Sequence, residues 1–359
     1  MDDKKFMNQA LSLALKGKGS TSPNPLVGAV LVKSGKVVGK GYHKGAGLDH
    51  AEIVAVKDAY SKQNNPKGCV LYVNLEPCCH IGKTGPCCEE IVRVGISEVV
   101  IANLDPSAKV NGKGVKFLKK HGVKVRLGIL EDEAREMNQI FFKNSKRDLP
   151  YVTVKAGMSL DGKIATKKHE SQWITSDSSR KAGRALRGIY DAVLVGGGTV
   201  KDDNPTLVMP KGKFQIVLDG DLSTPLSSKL YKGDDVIIVC TENVLQKKVE
   251  KLEARGVAVW KVGKSRVNFE KLLKKMYVEK GICSLFVEGG GGVIGSFFDA
   301  GFVDEVYFYY APIIIGGMNA VSAVGGSGVS KLKDAGKIKK LTTSRSDGDI
   351  LVHGYLNSY

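Results

Sequence analysis

Apolar positions along the first 145 residues switch repeatedly between helical and strand-like spacing. Residues 6–15 repeat at helical spacing, and 26–32 and 37–41 read as two strands joined by the turn Lys33-Ser34-Gly35-Lys36. Helix-like patterns follow at 51–60, 87–94, 114–121 and 131–142, and strand-like runs at 69–75, 98–102 and 123–127. Strands alternating with helices predict a layered α/β domain. Residues 143–150 are polar, charged and end in proline, which predicts a boundary and two domains, 1–147 and 148–359. A second alternating series begins at Tyr151, with strands expected at 151–156, 192–195, 215–218, 236–239, 257–262 and 284–287. The last of these runs into Gly289-Gly290-Gly291-Gly292 and a helix over 293–300. Another helix starts at Asp177, and 305–311 and 350–355 read as closing strands. No period of 20–50 residues repeats, so the chain is not a solenoid.

Composition narrows the class. The chain has 359 residues, 42% of them hydrophobic and 25% charged, which suits two globular domains and excludes disorder. No apolar run approaches the ~18 residues of a membrane span, and the opening Met1-Asp2-Asp3-Lys4-Lys5 does not read as a signal peptide. The net charge of +17 is spread over both halves, a pattern that suits anionic small molecules at least as well as nucleic acid. The seven cysteines are odd in number and include the adjacent pairs Cys78-Cys79 and Cys87-Cys88. Metal-binding or catalytic thiols in a reducing cytoplasm are therefore expected, rather than a disulfide scaffold.

His50-Ala51-Glu52 opens a predicted helix, Pro77-Cys78 follows a predicted strand, and Pro86-Cys87 opens the next helix. One imidazole and two thiolates form a catalytic Zn²⁺ set, three protein ligands with the fourth position left for water. The metal lowers the pKa of that water to about 7. Glu52 is read as the base that takes its proton and hands it to a leaving amine. Cys79, His80 and Cys88 are rival ligands, and Cys78 and Cys87 are preferred because each follows a proline at an element boundary. Cys69, Cys240 and Cys283 sit in apolar strand patterns and read as core. The order His-x-Glu … Pro-Cys … Cys is that of zinc nucleobase deaminases, but here eight residues separate the thiols instead of two. That loop is polar and carries Lys83, which suits an anion.

Pro23-Asn24-Pro25-Leu26-Val27-Gly28, Gly41-Tyr42-His43, His50-Ala51-Glu52, Glu76-Pro77-Cys78 and Lys83-Thr84-Gly85-Pro86-Cys87 resemble the deaminase half of the bifunctional riboflavin-biosynthesis deaminase/reductase family. Asp105-Pro106 and Gly112-Lys113-Gly114 also match, and the long gap between thiols separates this family from the tRNA adenosine deaminases. The resemblance implies that Asn24 holds the pyrimidine edge, and that His43, Lys83 and Thr84 face the ring or the ribose phosphate.

Two strand–glycine loops stand out in the second half, 193–199 and 285–292. Glycines between a strand and a helix let backbone N–H groups approach a phosphate. Neither loop is a Walker-A loop or a Rossmann fingerprint. Residues 155–165, 170–175, 184–187, 198–205 and 288–290 are similar to the reductase domain of the same family, so the resemblance spans about residues 5–355. It implies a cytidine-deaminase-like α/β/α domain followed by a dihydrofolate-reductase-like α/β domain that uses NADPH. NADPH would lie against Gly157, Trp173, Thr199, Asp203, Gly220 and the run Gly290, Gly291, Gly292, Val293, Ile294, Gly295 and Ser296. The ribose-phosphate substrate would meet Lys155, Ser171, Arg187, Leu207 and Glu288. Where the family often has an arginine, this chain has Pro210, with Lys211 and Lys213 just beyond it, one of which would bind the phosphate instead unless both belong to a solvated loop. Asp161 reads as a turn-capping residue.

The resemblance implies the second and third steps of riboflavin biosynthesis: hydrolytic deamination of 2,5-diamino-6-(5-phosphoribosylamino)pyrimidin-4(3H)-one, then NADPH-dependent reduction of the ribosyl to the ribityl chain. One Zn²⁺ per chain, a small phosphorylated pyrimidine nucleotide as substrate, no nucleic-acid or membrane partner, and a cytoplasmic homo-oligomer are expected with it. The alternative is a tRNA adenosine deaminase with an accessory domain. Basicity leans towards it, while the long loop between the thiols and the second domain's own motifs count against it. A scaffold that only kept the fold has no use for a base beside an open metal site.

Overall fold

The computed structural model describes residues 2–79, 85–107, 110–357 and 359. The chain divides into two compact units, one ending at Asp148 and the other beginning at Leu149.

The first unit is built on a five-stranded sheet in the order β2-β1-β3-β4-β5. The strands are β1 (Gly28–Lys33), β2 (Lys36–Tyr42), β3 (Val70–Leu75), β4 (Glu98–Asn103) and β5 (Lys124–Leu127). β1 runs antiparallel to β2 and β3, and β3, β4 and β5 are parallel. The helices are α1 (Asp3–Ala14), α2 (Ala51–Ser61), α3 (Cys87–Arg93), α4 (Lys113–Lys120), α5 (Glu131–Met137) and α6 (Gln139–Arg147). Side chains alternate across a strand, so β1 feeds two cores. Ala29 and Leu31 pack with α2, α3 and α4, and Val30 and Val32 pack with α1 and α5. Burial on both faces explains why β1 reads as a continuous apolar run rather than an alternating one. Gly41 of β2 is required by close approach, since a Cβ there would lie 2.5 Å from the Ala51 carbonyl at the start of α2.

The second unit is a nine-stranded sheet in the order β11-β10-β9-β8-β12-β6-β13-β16-β15. Its strands are β6 (Tyr151–Ser159), β8 (Ala192–Gly196), β9 (Phe214–Leu218), β10 (Val236–Cys240), β11 (Ala258–Lys261), β12 (Ser284–Gly289), β13 (Glu305–Ala311), β15 (Lys339–Ser346) and β16 (Asp349–Tyr355). All neighbours are parallel from β11 to β13, and β16 and β15 add on antiparallel. β7 (Lys163–Ala165) and β14 (Val321–Ser322) form a separate pair. The helices are α7 (Asp177–Arg187), α8 (Gly197–Asp203), α9 (Gln246–Glu253), α10 (Phe269–Lys280) and α11 (Gly291–Asp299). Val152, Val154, Leu285 and Val287 point into one core, and Val193, Val195, Val217 and Phe286 into the other.

Two expectations need correction. The helix expected over 131–142 is two helices, α5 and α6, broken at Asn138, and α6 continues to Arg147 through what reads as a linker. β15 has no counterpart in the expected elements. Seven of its eight residues are exposed, so it carries neither an alternating pattern nor a buried apolar run. A fully buried Leu or Ile is worth roughly 1.5–3 kcal/mol, and an edge strand that buries none leaves no such trace in sequence.

Candidate active sites

His50 ends the loop before α2 with extended backbone, and Glu52 sits in the first turn of that helix. Cys78 follows β3, and Cys87 is the first residue of α3. These separate junctions bring one donor atom each from His50, Cys78 and Cys87 within 4.8 Å of one another. His50 Nδ1 lies 3.2 Å from Cys87 Sγ and 3.5 Å from Cys78 Sγ, and the Cys87 N–H donates to Cys78 Sγ at 3.4 Å. The hydrogen bond with Cys87 pulls the Cys78 thiol down to about 4, with help from His50 and against its burial. Cys87 is pushed up by sharing that proton and by burial. Two sulfurs contending for one proton beside an imidazole form a donor set that suits a soft dication such as zinc.

Among the rivals, Cys88 turns to the Pro77 carbonyl at 3.3 Å and belongs to the core. Cys79 packs against the same core, and His80 lies outside the described residues.

Glu52 is 4% exposed, and burial, with the Cys78 sulfur second, pushes its carboxyl up to about 7. Glu52, His50 and Cys78 line a cavity of about 380 Å³ together with Asn24, His43 and Asp105. His43 Nδ1 is 3.0 Å from the Asp49 carbonyl, which can only accept, so Nδ1 carries a proton and donates. Its Nε2 accepts from Asn24 Nδ2 at 3.0 Å, and burial lowers the pKa of the ring. His43 is therefore neutral, with a fixed tautomer. Lys83 and Thr84 lie outside the described residues.

Three features of this cavity have no counterpart in the expected site residues. Asp105 is buried, and desolvation raises its carboxyl to about 6. Phe141 and Ser145, on α6, form part of the cavity wall. Glu76 lines it too, but its carboxylate accepts from the N–H groups of Asp105, Gly112 and Val115 and so serves the start of α4. The Pro77-Cys78 motif flags Glu76 in the sequence, whereas nothing local flags Phe141.

In the second unit, β8 and β12 are parallel neighbours, so their glycine loops meet at the carboxyl ends of the strands, where open α/β sheets bind ligands. A Cβ on Gly196 would lie 2.7 Å from Val293, and one on Gly290 would lie 3.3 Å from Thr199 Oγ1. Gly290 also adopts φ 42°, which a side chain disfavours. Gly198 and Gly292 face open space, so this cradle suits a phosphate-bearing cofactor.

The glycines divide by role. A Cβ on Gly291 would meet Ser322 O at 2.0 Å, and one on Gly295 would meet Gly325 at 2.1 Å, so both serve the packing of α11. Ile294 is in the core, and Val293 and Ser296 lie on the same helix. Gly295→Ala is expected to destabilise the cofactor-free protein by about 1–3 kcal/mol, whereas Gly292→Ala leaves it within about 0.5 kcal/mol. Thermal unfolding of the two variants without added nucleotide checks this difference.

Lys155 of β6 and Glu288 of β12 each follow the paired residues Val154 and Val287, and the two side chains interact electrostatically. Arg187 Nε and Nη2 donate to the two carboxylate oxygens of Glu288 at 2.9 and 2.6 Å, a bidentate pair that is largely buried. Burial lowers the pKa of the Lys155 ammonium and Glu288 opposes it. Ser171 donates to Asp203 at 2.8 Å, Gln172 donates to the same oxygen, and the Gly220 carbonyl accepts from Thr241. Trp173 is 66% exposed with the Arg180 guanidinium 4.4 Å from its ring centre, and Gly157 lies against Thr175. The Leu207 side chain is buried in the core, so it offers a ligand only its backbone. Lys213 pairs with Asp191 at the amino end of β8, away from the glycine loops, while Lys211 is exposed. Asp161 accepts from the N–H groups of Ile315 and Gly316 and holds that turn.

The fold and site together define a cytidine-deaminase-like domain with a metal-binding His–Cys–Cys cluster, followed by a dihydrofolate-reductase-like domain. Family models match accordingly: residues 1–103 fit the cytidine and deoxycytidylate deaminase zinc-binding region, and 150–352 fit the RibD C-terminal domain. The chain belongs to the RibD family of riboflavin biosynthesis proteins. It is 42% identical to riboflavin biosynthesis protein RibD of Aquifex aeolicus over 98% of this chain and 97% of that one. The corresponding Escherichia coli protein is 33% identical over 98% and 99%. The solved structure of Acinetobacter baumannii RibD superposes with a TM-score of 0.86 at 32% identity and covers 98% of both chains. A Thermotoga maritima deaminase/reductase gives 0.84 at 34% identity with the same coverage. No described helix is long and apolar enough to cross a membrane.

Proposed function

We propose that this chain deaminates 2,5-diamino-6-(5-phosphoribosylamino)pyrimidin-4(3H)-one in its first unit and, in its second, reduces the product's ribosyl group to ribityl with NADPH. The observation that carries the reading is a buried carboxylate, Glu52, beside the converged His50, Cys78 and Cys87 in one cavity. Full-length relatives named for riboflavin biosynthesis support the substrate. The working protein is taken to be a cytoplasmic homo-oligomer acting on this small phosphorylated nucleotide, with no nucleic-acid or membrane partner.

His50, Cys78 and Cys87 would hold one Zn²⁺, which when bound supplies Lewis acidity that makes water a nucleophile at neutral pH. Glu52 accepts a proton from the attacking water and returns it to the ring's departing amine, which leaves as ammonia. Asn24 Nδ2 is engaged by His43, which leaves Asn24 Oδ1 to accept from a pyrimidine N–H. By the family resemblance, Lys83 and Thr84 would meet the substrate's ring or ribose phosphate.

In the second unit NADPH supplies the hydride. Gly157, Trp173, Thr199, Asp203, Gly220 and the 290–296 segment would hold the cofactor, with Gly291, Gly295 and Ile294 contributing by packing the helix that carries the open Gly292. Lys155, Ser171, Arg187, Glu288 and the Leu207 backbone hold the ribose-phosphate chain against it. The protein's contribution is alignment of the two reactants.

Ammonia release from the diaminopyrimidine nucleotide, measured together with metal content, tests the first activity. Expressed separately, 1–147 is expected to deaminate without NADPH, and 148–359 to oxidise NADPH only when given the deaminated product. A cut before α6 removes Phe141 from the cavity and should abolish the first activity. Glu288→Gln in the full chain should impair reduction alone. A zinc-loaded, folded 1–147 that deaminates only after 148–359 is added overturns the division of labour.

A further inference from the structure

Asn138 lies between α5 and α6 with φ −107° and ψ 22°, and so interrupts an otherwise continuous helix. Its side chain is buried, at 3% exposure. Both ends of its amide reach the backbone of Leu26, 112 residues earlier. The Leu26 N–H donates to Asn138 Oδ1 at 2.8 Å, and Asn138 Nδ2 donates to the Leu26 carbonyl at 2.9 Å. A primary amide carries an acceptor and a donor in one plane, so it imitates a neighbouring strand for Leu26, two residues before β1. The Leu26 carbonyl also accepts from Asn74 Nδ2 at 2.9 Å, and the Gly28 N–H donates to Asn74 Oδ1 at 2.8 Å. Two buried asparagines thus hold residues 26–28.

Two residues upstream stands Asn24, between Pro23 and Pro25. The proline rings fix their own φ and restrict the residue before each, so this tripeptide is stiff. A shift at Leu26 is therefore passed on to Asn24, whose amide meets His43 in the cavity that holds His50 and Glu52. Phe141 and Ser145, three and seven positions beyond Asn138, line that same cavity. Phe141 and Ser145, four residues apart, share one face of α6, and Asn138 is the residue from which that helix starts. The clamp therefore sits at the start of the helix that walls the cavity.

We propose that Asn138 is a positioning residue of the deaminase: through the backbone of Leu26 it sets where Asn24 stands in the pyrimidine cavity. The proposal rests on the reading that Asn24 holds the pyrimidine edge. Asn138 itself touches neither substrate nor metal ligands.

A double-mutant cycle in the full chain tests it, with ammonia release as the activity. Metal content and reduction of the deaminated product by the same chain serve as controls. Asn24→Ala and Asn138→Ala are each expected to raise the KM for deamination about tenfold, roughly the worth of one hydrogen bond, with kcat and metal content retained. The double variant is expected to be no worse than Asn24→Ala, because nothing remains to be positioned. Asn138→Asp keeps the acceptor for the Leu26 N–H but sets a carboxylate oxygen against its carbonyl, so it too raises KM. If Asn138→Ala does not accumulate as folded protein, Asn138→Ser carries the same cycle. Effects that multiply, or a loss of kcat and metal together, show a merely structural role and overturn the proposal alone. An unchanged KM in Asn24→Ala overturns the reading of Asn24, and the proposal with it.

Discussion

Replacement of Cys78 or Cys87 by serine is expected to abolish metal binding and deamination together, while reduction of the deaminated product continues. Each sulfur lies within 4.8 Å of the other two donor atoms, and no fourth described His, Cys, Asp or Glu joins the group. A serine hydroxyl is a far weaker zinc ligand than a thiolate, and a site of three protein ligands cannot spare one. Cys88→Ser leaves metal in place, because Cys88 Sγ is turned to the Pro77 carbonyl in the core. It costs some stability, because a hydroxyl is harder to bury than a thiol. Cys79→Ser also retains the metal, since Cys79 lies against the same core. Metal content per chain and ammonia release, measured on all four variants, decide the matter. An empty site in Cys88→Ser with a filled one in Cys87→Ser would reverse the ligand assignment.

Glu52→Gln separates binding from chemistry. The amide keeps the shape of the carboxylate but cannot accept a proton. Deamination is expected to fall by about 10²–10⁴, the usual contribution of a positioned acid–base group. Metal content and substrate affinity should stay near those of the parent, because Glu52 is not a member of the converged donor set. Its burial matters to the role. Burial, with the Cys78 sulfur second, raises its carboxyl to about 7, where a carboxyl can both take and give a proton near neutral pH. Calorimetric titration of Glu52→Gln with substrate, alongside single-turnover ammonia release, reads both halves of the expectation. Near-parental turnover would remove Glu52 from the mechanism.

Much of this architecture was legible without coordinates, for an identifiable reason. Strands such as β1, β3, β8 and β12 are buried on both faces, and a predominantly apolar run bounded by turn residues is a strong local signal. His50, Cys78 and Cys87 were legible because each sits at an element junction and belongs to a residue type with few other uses, and Glu52 because it stands two residues from His50. Exposed β15 left no such mark. The break at Asn138 left none either, because the residue that stabilises it is Leu26, which no local window includes.

By itself, then, the sequence determined the buried strands of both sheets, the two-part organisation and the chemistry available at the metal cluster, because these depend on side-chain type and short-range period. Tertiary structure supplied what separates the adjacent cysteines that the sequence could only rank, since Cys87 and Cys88 are neighbours in sequence but point to different environments on α3. It also decided that Gly291 and Gly295 serve packing while Gly292 stays open, and that Lys213 spends its charge on Asp191. A glycine or lysine reads alike wherever it occurs, and its task is set by what the rest of the chain brings within about 4 Å of it.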